Sequence, residues 1–383
     1  MIPYGRQDIR QEDIDAVVEV LQSDFLTQGP KNPEFEHRLT DFVGAAHGIA
    51  VNSATSALHI ACLALDLGPG DMLWTSPITF VASANCALYC GADVDFVDID
   101  PDTFNMCPVK LAEKLEEAAK SGTLPKIIIP VHMCGQSCDM AAIGALARQY
   151  GVAVIEDASH AIGGKYQGRP IGDCAHSDIT VFSFHPVKII TSAEGGMAVT
   201  QDALLAEKMA LLRSHGITRD PDRMTKAPDG PWYYEQIDLG FNYRMTELQA
   251  VLGLSQMSRL EEYVRQRNLL AEYYDQELRD LPLKTPVRLK DCYSSFHLYI
   301  IQLDDADRHV TVFEGLKARN IGVNLHYIPV HLQPYYRNLG FAEGQFPIAE
   351  NYYSRAISIP LYPTIEPADR DIVIQAIKDC TAK

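Results

Sequence analysis

The stretch "FSFHPVKIITSAEGG", residues 182–196, reads as the end of a buried strand, a break at Pro186 and a single lysine among apolar residues. Two glycines and another apolar run follow it. Lys188 is flanked by Val187, Ile189 and Ile190. A lysine in that setting can snorkel, laying its methylenes on apolar surface and its ammonium in water. Alternatively, it is held in a desolvated site, where its pKa falls and its amine becomes a nucleophile able to bond a carbonyl carbon.

Outward from this stretch, strands and helices alternate. "GIAVN" reads as a strand and "SATSALHIACLAL" as a helix. "DMLWTS", "FVASANCALYC", "DVDFVDI", "VKLAEKLEEAAK", "KIIIPV", "MAAIGALARQYG" and "VAVIEDAS" continue the alternation. "DITVFSF" and "GGMAVT" bracket the lysine stretch. Such units predict an α/β fold, a mainly parallel sheet with helices on both faces. Before them, Ile14, Val17, Val18 and Leu21 form a helical stripe. "KNPEFEHRLTDFVG" predicts a helix with Asn32 as cap, Pro33 in the first turn and Gly44 past the end.

The character changes near residue 214. "SHGITRDPDRMTKAPDGPWYYEQID" is too long and too rich in Pro, Gly and Asp for an ordinary connection, so a functional loop is expected. A helical region follows from Met245 to about Leu278. After it come a strand "FHLYIIQL", a helix "TVFEGLKARNIG", a strand "VNLHYIP" and a helix from Pro367. The expected organisation is a large domain with the N-terminal segment over 1–255 and a small C-terminal α+β domain over 256–383.

The 383 residues are 47% hydrophobic, ample for a packed core. The formal net charge of -17 argues against a nucleic-acid partner, although a pocket for one phosphorylated small molecule needs only a few local donors. No apolar run is long enough to cross a bilayer, and "MIPYGRQDIRQED" lacks a basic-then-apolar signal, so a cytoplasmic protein is expected. The nine cysteines are scattered, as reduced thiols packed as small hydrophobes would be. "HMCGQSC" places His132 near Cys134 and Cys138, but zinc would need a fourth ligand, so a plain loop is expected and no metal.

In open α/β sheets ligands bind beyond the carboxyl ends of strands. At the first such turn, "NSATSALH" crowds Ser53, Thr55 and Ser56 at a helix start, which suits either simple capping or a phosphate. At the second, "VIEDASHA" ends a strand in Glu156 and Asp157, with His160 just beyond. A buried carboxylate there needs a partner, a salt bridge or cap on the plain reading. At the third, Phe80 in "TSPITFVAS" is core or one wall of a slot for a flat ring. Ser183 and Lys188 supply the fourth. An anion at a helix start, a ring against an aromatic, a carboxylate for a ring nitrogen and a lysine for an aldehyde together describe pyridoxal phosphate (PLP). A dinucleotide fits less well, because neither "GPGDML" nor "GGKYQGRPIG" opens a helix in the required pattern.

These pieces, with "FLTQGP", "RSHGI", "GFNYRMTELQAVLGLSQ" and "HYIPVH", make the sequence resemble the PLP-dependent nucleotide-sugar aminotransferases of the DegT/StrS type over nearly its whole length. The resemblance implies the type I, aspartate-aminotransferase-like fold. It implies that Lys188 bonds PLP and shuttles the proton, that Asp157 pairs with the pyridine nitrogen and that Phe80 stacks on the ring. Thr55, Ser56 and Ser183 would bind the phosphate. His160 stands where many relatives have Gln near the ring hydroxyl. Asn242 would reach the phosphate in the neighbouring subunit, implying a homodimer with shared sites.

The implied amino donor is glutamate and the acceptor a nucleotide-linked keto-sugar. "SPITFVASAN", "DASHAIGG" and "NYRMTELQAVLGLSQ" are most similar to transaminases that form UDP-4-amino-4,6-dideoxy-N-acetyl-β-L-altrosamine in the pseudaminic acid pathway. That likeness implies amination at C4 of a UDP-linked 4-keto-6-deoxy-N-acetylhexosamine. Arg244, His326 and Tyr327 are then sugar or nucleotide contacts, or else ordinary packing. The alternatives are another UDP- or dTDP-linked keto-sugar, aminated at C3 or C4, or a PLP-dependent sugar dehydratase. The dehydratase branch replaces the lysine with His, and Lys188 is present.

Overall fold

The computed structural model describes residues 1–382. Its centre is a seven-stranded sheet. The strands are β1 (His47–Val51), β2 (Met72–Thr75), β3 (Asp93–Phe96), β4 (Ile127–Ile129), β5 (Ala153–Asp157), β6 (Ile179–Ser183) and β7 (Gly196–Thr200). Their order is β1-β7-β6-β5-β4-β2-β3. β7 runs antiparallel to both its neighbours, and the other pairs are parallel. Strands β4, β6 and β7 are buried along their whole length. Burial on both faces is why these runs read as continuous rather than alternating apolar residues.

The lysine stretch explains the single antiparallel strand. Without a helix of its own, it folds straight back from β6 into β7. Phe184 N–H donates to Gly195 O at 2.9 Å and Ser192 N–H to Phe184 O at 2.9 Å, closing a compact excursion with Lys188 in it. β7 opens on Gly196, where an added Cβ would lie 2.4 Å from the backbone nitrogen of Ala54. Only glycine lets β7 lie directly behind the start of helix Ala54–Ala64.

Three expectations need correction. Helix Lys31–Val43 begins before Asn32 and has Pro30 at its cap position. Its free N–H groups are met by the buried carboxylate of Glu247, which accepts from Lys31 N–H at 2.6 Å and Asn32 N–H at 3.3 Å. The Asn32 side chain is itself turned onto Glu247 and the Met245 carbonyl. The helical region expected over 245–278 is two helices, Glu247–Met257 and Leu260–Glu277. No strand forms over 323–329; only Asn324 bridges, to Ser358, and the segment then carries His326 and Tyr327. The stripe Ile14, Val18 and Leu21 does fall on a helix, Gln11–Leu21, but faces outward and exposed, as do nearby Phe25 and Leu26.

A three-stranded antiparallel sheet, Leu283–Lys284, Tyr299–Leu303 and Ala356–Ile359, is covered by helices His309–Ala318 and Pro367–Thr381. Helix Leu260–Glu277 joins the two cores, with Tyr263 and Val264 in the cluster around β7 and Leu270 and Tyr274 in that of the smaller sheet. The N-terminal segment also ties the parts together. Ile2 N–H donates to Asn320 O, and Ile2 O accepts from Gly322 N–H. Tyr4 O accepts from Leu361 N–H at 3.0 Å. Asp13, fully buried, is held by Arg259 at 2.6 Å and by Ser255 and Gln256. Among the described residues no helix is long and apolar enough to cross a membrane.

Candidate active site

A cleft of about 560 Å³ opens at the carboxyl ends of the parallel strands. Thr55, Phe80, Asp157, His160, Ser183 and Lys188 all line it, with His326 and Tyr327 from the segment after residue 323. These residues come from four strand ends and the far loop, more than a hundred positions apart, so their convergence is a product of the fold alone.

Each is set locally. Ser53 caps helix Ala54–Ala64, accepting from Ser56 N–H at 3.1 Å. The positive end of that helix, with the Thr55 side chain, faces the cleft beside Ser183. Asp157 ends β5 nearly buried, and both its oxygens are occupied. Ser83 Oγ–H donates to Oδ2 at 2.6 Å and Ser159 N–H to Oδ1 at 3.0 Å. Ser83 is in turn hydrogen-bonded to Thr79 at 2.8 Å, which fixes the carboxylate through a chain of two hydroxyls. Phe80 is 58% exposed, a large aromatic left open at the cleft wall.

Lys188 is half-buried on the same wall. Enclosure by protein lowers its pKa from 10.5 to about 8, and the Asp157 carboxylate opposes that shift. A minority of the amine, far larger than for an ordinary lysine, is therefore neutral near physiological pH. Burial, with Lys188 nearby, also draws His326 down to about 4 and His160 well below the usual histidine value. His326 Nδ1 is bonded to Ser358 Oγ at 2.7 Å, and His160 Nε2 to the Tyr327 hydroxyl at 3.2 Å.

Three predicted site residues stand elsewhere. The Ser56 hydroxyl donates to Asn52 Oδ1 at 2.6 Å and pairs with Ser53, so it is committed within the turn behind the cleft. Asn242 is exposed and Arg244 half-buried, in a segment running beside the end of β1, where Asn52 N–H donates to Tyr243 O at 2.8 Å. Neither lines this chain's cleft. The sequence reading passed over Thr79, Ser83 and Ser159, which hold Asp157, and over Tyr4, Asn324 and His297, which line the cleft. Serines in a helix start carry no signal of their own, and Tyr4 reaches the cleft only through the N-terminal contacts.

The cysteine loop is structural. His132 Nε2 is bonded to Glu156 Oε2 at 2.6 Å, and His132 Nδ1 accepts from Cys138 N–H at 3.1 Å. Although burial alone would raise the Glu156 pKa, hydrogen bonds from His132 and Ser177 hold it below the usual range. Among the described residues no group of His, Cys, Asp or Glu could hold a metal.

The donor set fits PLP. A helix start and two hydroxyls suit its phosphate, an open aromatic face its ring, an oriented carboxylate its nitrogen and a largely desolvated amine its aldehyde. The buried Nδ1 atoms of His160 and His297 have no protein partner, leaving polar capacity in the wall of the cleft.

Comparison with known proteins agrees. Residues 7–378 match the DegT/DnrJ/EryC1/StrS aminotransferase family. The spore coat polysaccharide biosynthesis protein SpsC of Bacillus subtilis is 42% identical over 384 residues, covering 99% of this chain and 96% of its own. Helicobacter pylori PseC, an aminotransferase involved in the biosynthesis of pseudoaminic acid, superposes with a TM-score of 0.91 at 32% identity, covering 99% of each chain. Streptococcus pneumoniae Spr1654, solved in PMP, PLP and apo forms, superposes in its PMP form with a TM-score of 0.91 at 29% identity, covering 100% of this chain and 99% of its own. With lysine, aspartate and helix start converging in one cleft of a type I fold, the chain belongs to the DegT/DnrJ/EryC1/StrS aminotransferase family and is a PLP-dependent aminotransferase.

Proposed function

We propose that the enzyme moves an amino group from glutamate to C4 of a UDP-linked 4-keto-6-deoxy-N-acetylhexosamine, a step toward pseudaminic or a related nonulosonic acid. The observation that carries a sugar acceptor is the end-to-end match to PseC, joined by the match to SpsC, whose name places it in polysaccharide synthesis. The preference for C4 and UDP rests on the stretches shared with the pseudaminic-acid transaminases. Another UDP- or dTDP-linked keto-sugar is the second reading.

When bound, PLP supplies an aldehyde that captures an amine and a ring that withdraws an electron pair. In the proposed arrangement Thr55 and Ser183 hold the phosphate with the helix start, Phe80 covers a ring face and His160 lies near the ring hydroxyl. Ser56 serves through the turn it braces rather than through its hydroxyl. Asp157, oriented by Ser83 and Ser159, would pair with the protonated ring nitrogen. Lys188 Nζ, once free, takes a proton from one carbon and returns it to another. Its lowered pKa suits that work, because a base must reach the reacting carbon neutral. Tyr327, His326 and Tyr4 shape the sugar's end of the cleft.

The enzyme acts as a cytoplasmic homodimer in this proposal, with Asn242 and Arg244 serving the neighbouring site. The apolar residues left exposed at Leu21, Phe25, Leu26, Trp232 and Leu239 support a second copy as their cover. The test offers the purified enzyme glutamate and a panel of UDP- and dTDP-linked 3- and 4-keto-sugars, with products identified by NMR. A C4 amine on the UDP-linked N-acetylated sugar is expected. Turnover confined to dTDP-sugars or to C3 would refute the choice of acceptor.

A further inference from the structure

His297 stands at the entry to strand Tyr299–Leu303 of the smaller sheet, yet its side chain forms part of the cleft wall. Its imidazole packs on that of His160, with ring centroids 4.3 Å apart. Both rings are buried, and the Nδ1 of each lacks a protein partner. The backbone carrying His297 is pinned unusually hard. Arg267, itself buried, donates from Nη1 to the carbonyls of Phe296 (3.2 Å), His297 (3.1 Å) and Leu361 (2.9 Å). Asn268 Nδ2 donates to Ser294 O at 2.9 Å.

The same segment is keyed to His160 from the other side. Ser295 Oγ–H donates to His160 O at 2.8 Å, and Ser295 N–H donates to Gly135 O at 3.1 Å. Gly135 has φ +103°, and an added Cβ would lie 2.5 Å from Ser295 Oγ and 3.0 Å from His160 O. That close approach requires glycine.

We infer that His297 is a positioning residue: its ring contact, anchored by Arg267 and Ser295, fixes the ring orientation of His160 within the cleft. The groups facing the pair are consistent with neutrality. Around His160 stand Lys188, His326, His297 and the Tyr327 hydroxyl; around His297 stand His160, Lys188, Arg267 and His326. Among the described residues no carboxylate bonds either ring, and the oxygens of Asp157 are taken by Ser83 and Ser159. Burial beside bases lowers both histidines well below their usual value. A buried imidazole with one free nitrogen is a fixed donor or acceptor only while its ring cannot turn.

The bearing on catalysis rests on the placement of His160 beside the cofactor ring, whereas the positioning itself is read separately. Full-length enzyme labelled with ¹⁵N-histidine is compared with and without PLP, and His160→Gln assigns the signal. The wild type should show one neutral His160 tautomer that does not titrate between about pH 6 and pH 8. His297→Ala should lose that single pattern, with His160 titrating inside the window and kcat falling about tenfold at unchanged KM. His297→Phe, which keeps a flat ring in contact, should restore the wild-type spectrum. If the Ala variant does not fold, His297→Gln, without a ring, is read in its place. A folded ringless variant whose His160 stays locked, or a Phe variant that behaves like one, would overturn the inference. Because the spectra are also taken without cofactor, failure here is distinguishable from failure of the His160 placement.

Discussion

Replacing Lys188 by methionine should cost the enzyme its chemistry and make the cofactor-free protein more stable. The amine titrates at about 8 in the fold against 10.5 for an ordinary lysine, because the cleft withholds water from its charged form. At ~1.4 kcal/mol per pH unit, holding that charge at pH 7 costs about 3 kcal/mol, and water reaching the half-buried side chain trims this to roughly 2–3 kcal/mol. The sign follows from proton counting. Between about pH 8 and 10.5 the unfolded chain binds more protons at this position than the folded one, so the wild type gains stability as pH rises through that window. Methionine has no proton to lose. Its advantage should therefore be full at pH 7 and mostly gone near pH 10.5. Denaturant unfolding of the two apoproteins at pH 7, 9 and 10.5 measures this directly. A methionine variant no more stable than wild type at pH 7, or one whose advantage is the same at all three pH values, would refute the desolvated amine.

Asp157→Asn keeps the contacts from Ser83 and Ser159 in shape but removes the charge. It should lower kcat/KM by about a thousandfold, equivalent to ~4 kcal/mol, in steady-state assays with glutamate; near-normal rates would count against the pairing with the ring nitrogen. Gly196→Ala forces a methyl group to within 2.4 Å of the Ala54 nitrogen and should destabilise the fold by about 1–3 kcal/mol or weaken PLP binding. Thermal melting and cofactor titration report both, and a wild-type result in each would contradict the close approach. For the proposed dimer, the Lys188→Ala and Asn242→Ala variants should each be impaired, the former without the yellow of the lysine-bound cofactor. Heterodimers of the two should recover part of the activity, because one site keeps both residues, and no recovery in verified heterodimers would rule out shared sites.

The sheet was legible because its central strands are buried on both faces and spell themselves as short apolar runs between polar turns. Lys188 and Asp157 stood out for the same reason, as ionisable groups at the ends of such runs. Features set by long-range contact were not legible. The cap of helix Lys31–Val43 is Glu247, more than two hundred positions away, so the nearby Asn32 looked like the better candidate. Ser83, which aims Asp157, lies 74 positions before it and resembles any serine at a helix start. "VNLHYIP" has the β-branched and aromatic content of a strand, yet it is drawn into the cleft through His326 and Tyr327 and pairs only at Asn324. The stripe of helix Gln11–Leu21 announced a helix, and periodicity says nothing about which body will cover its apolar residues.

The tie between Ile2, Tyr4 and residues 320–322 and 361 also dictates when the enzyme can be finished. Ile2 and Tyr4 find their pairing partners more than three hundred positions further along the chain, so the large sheet is synthesised before this segment can dock. Tyr4 takes its place in the cleft, opposite the His326 ring at 5.3 Å, only once residues 320–361 have been made. A product truncated before residue 320 therefore lacks part of the cleft wall even where its lysine and aspartate are in place.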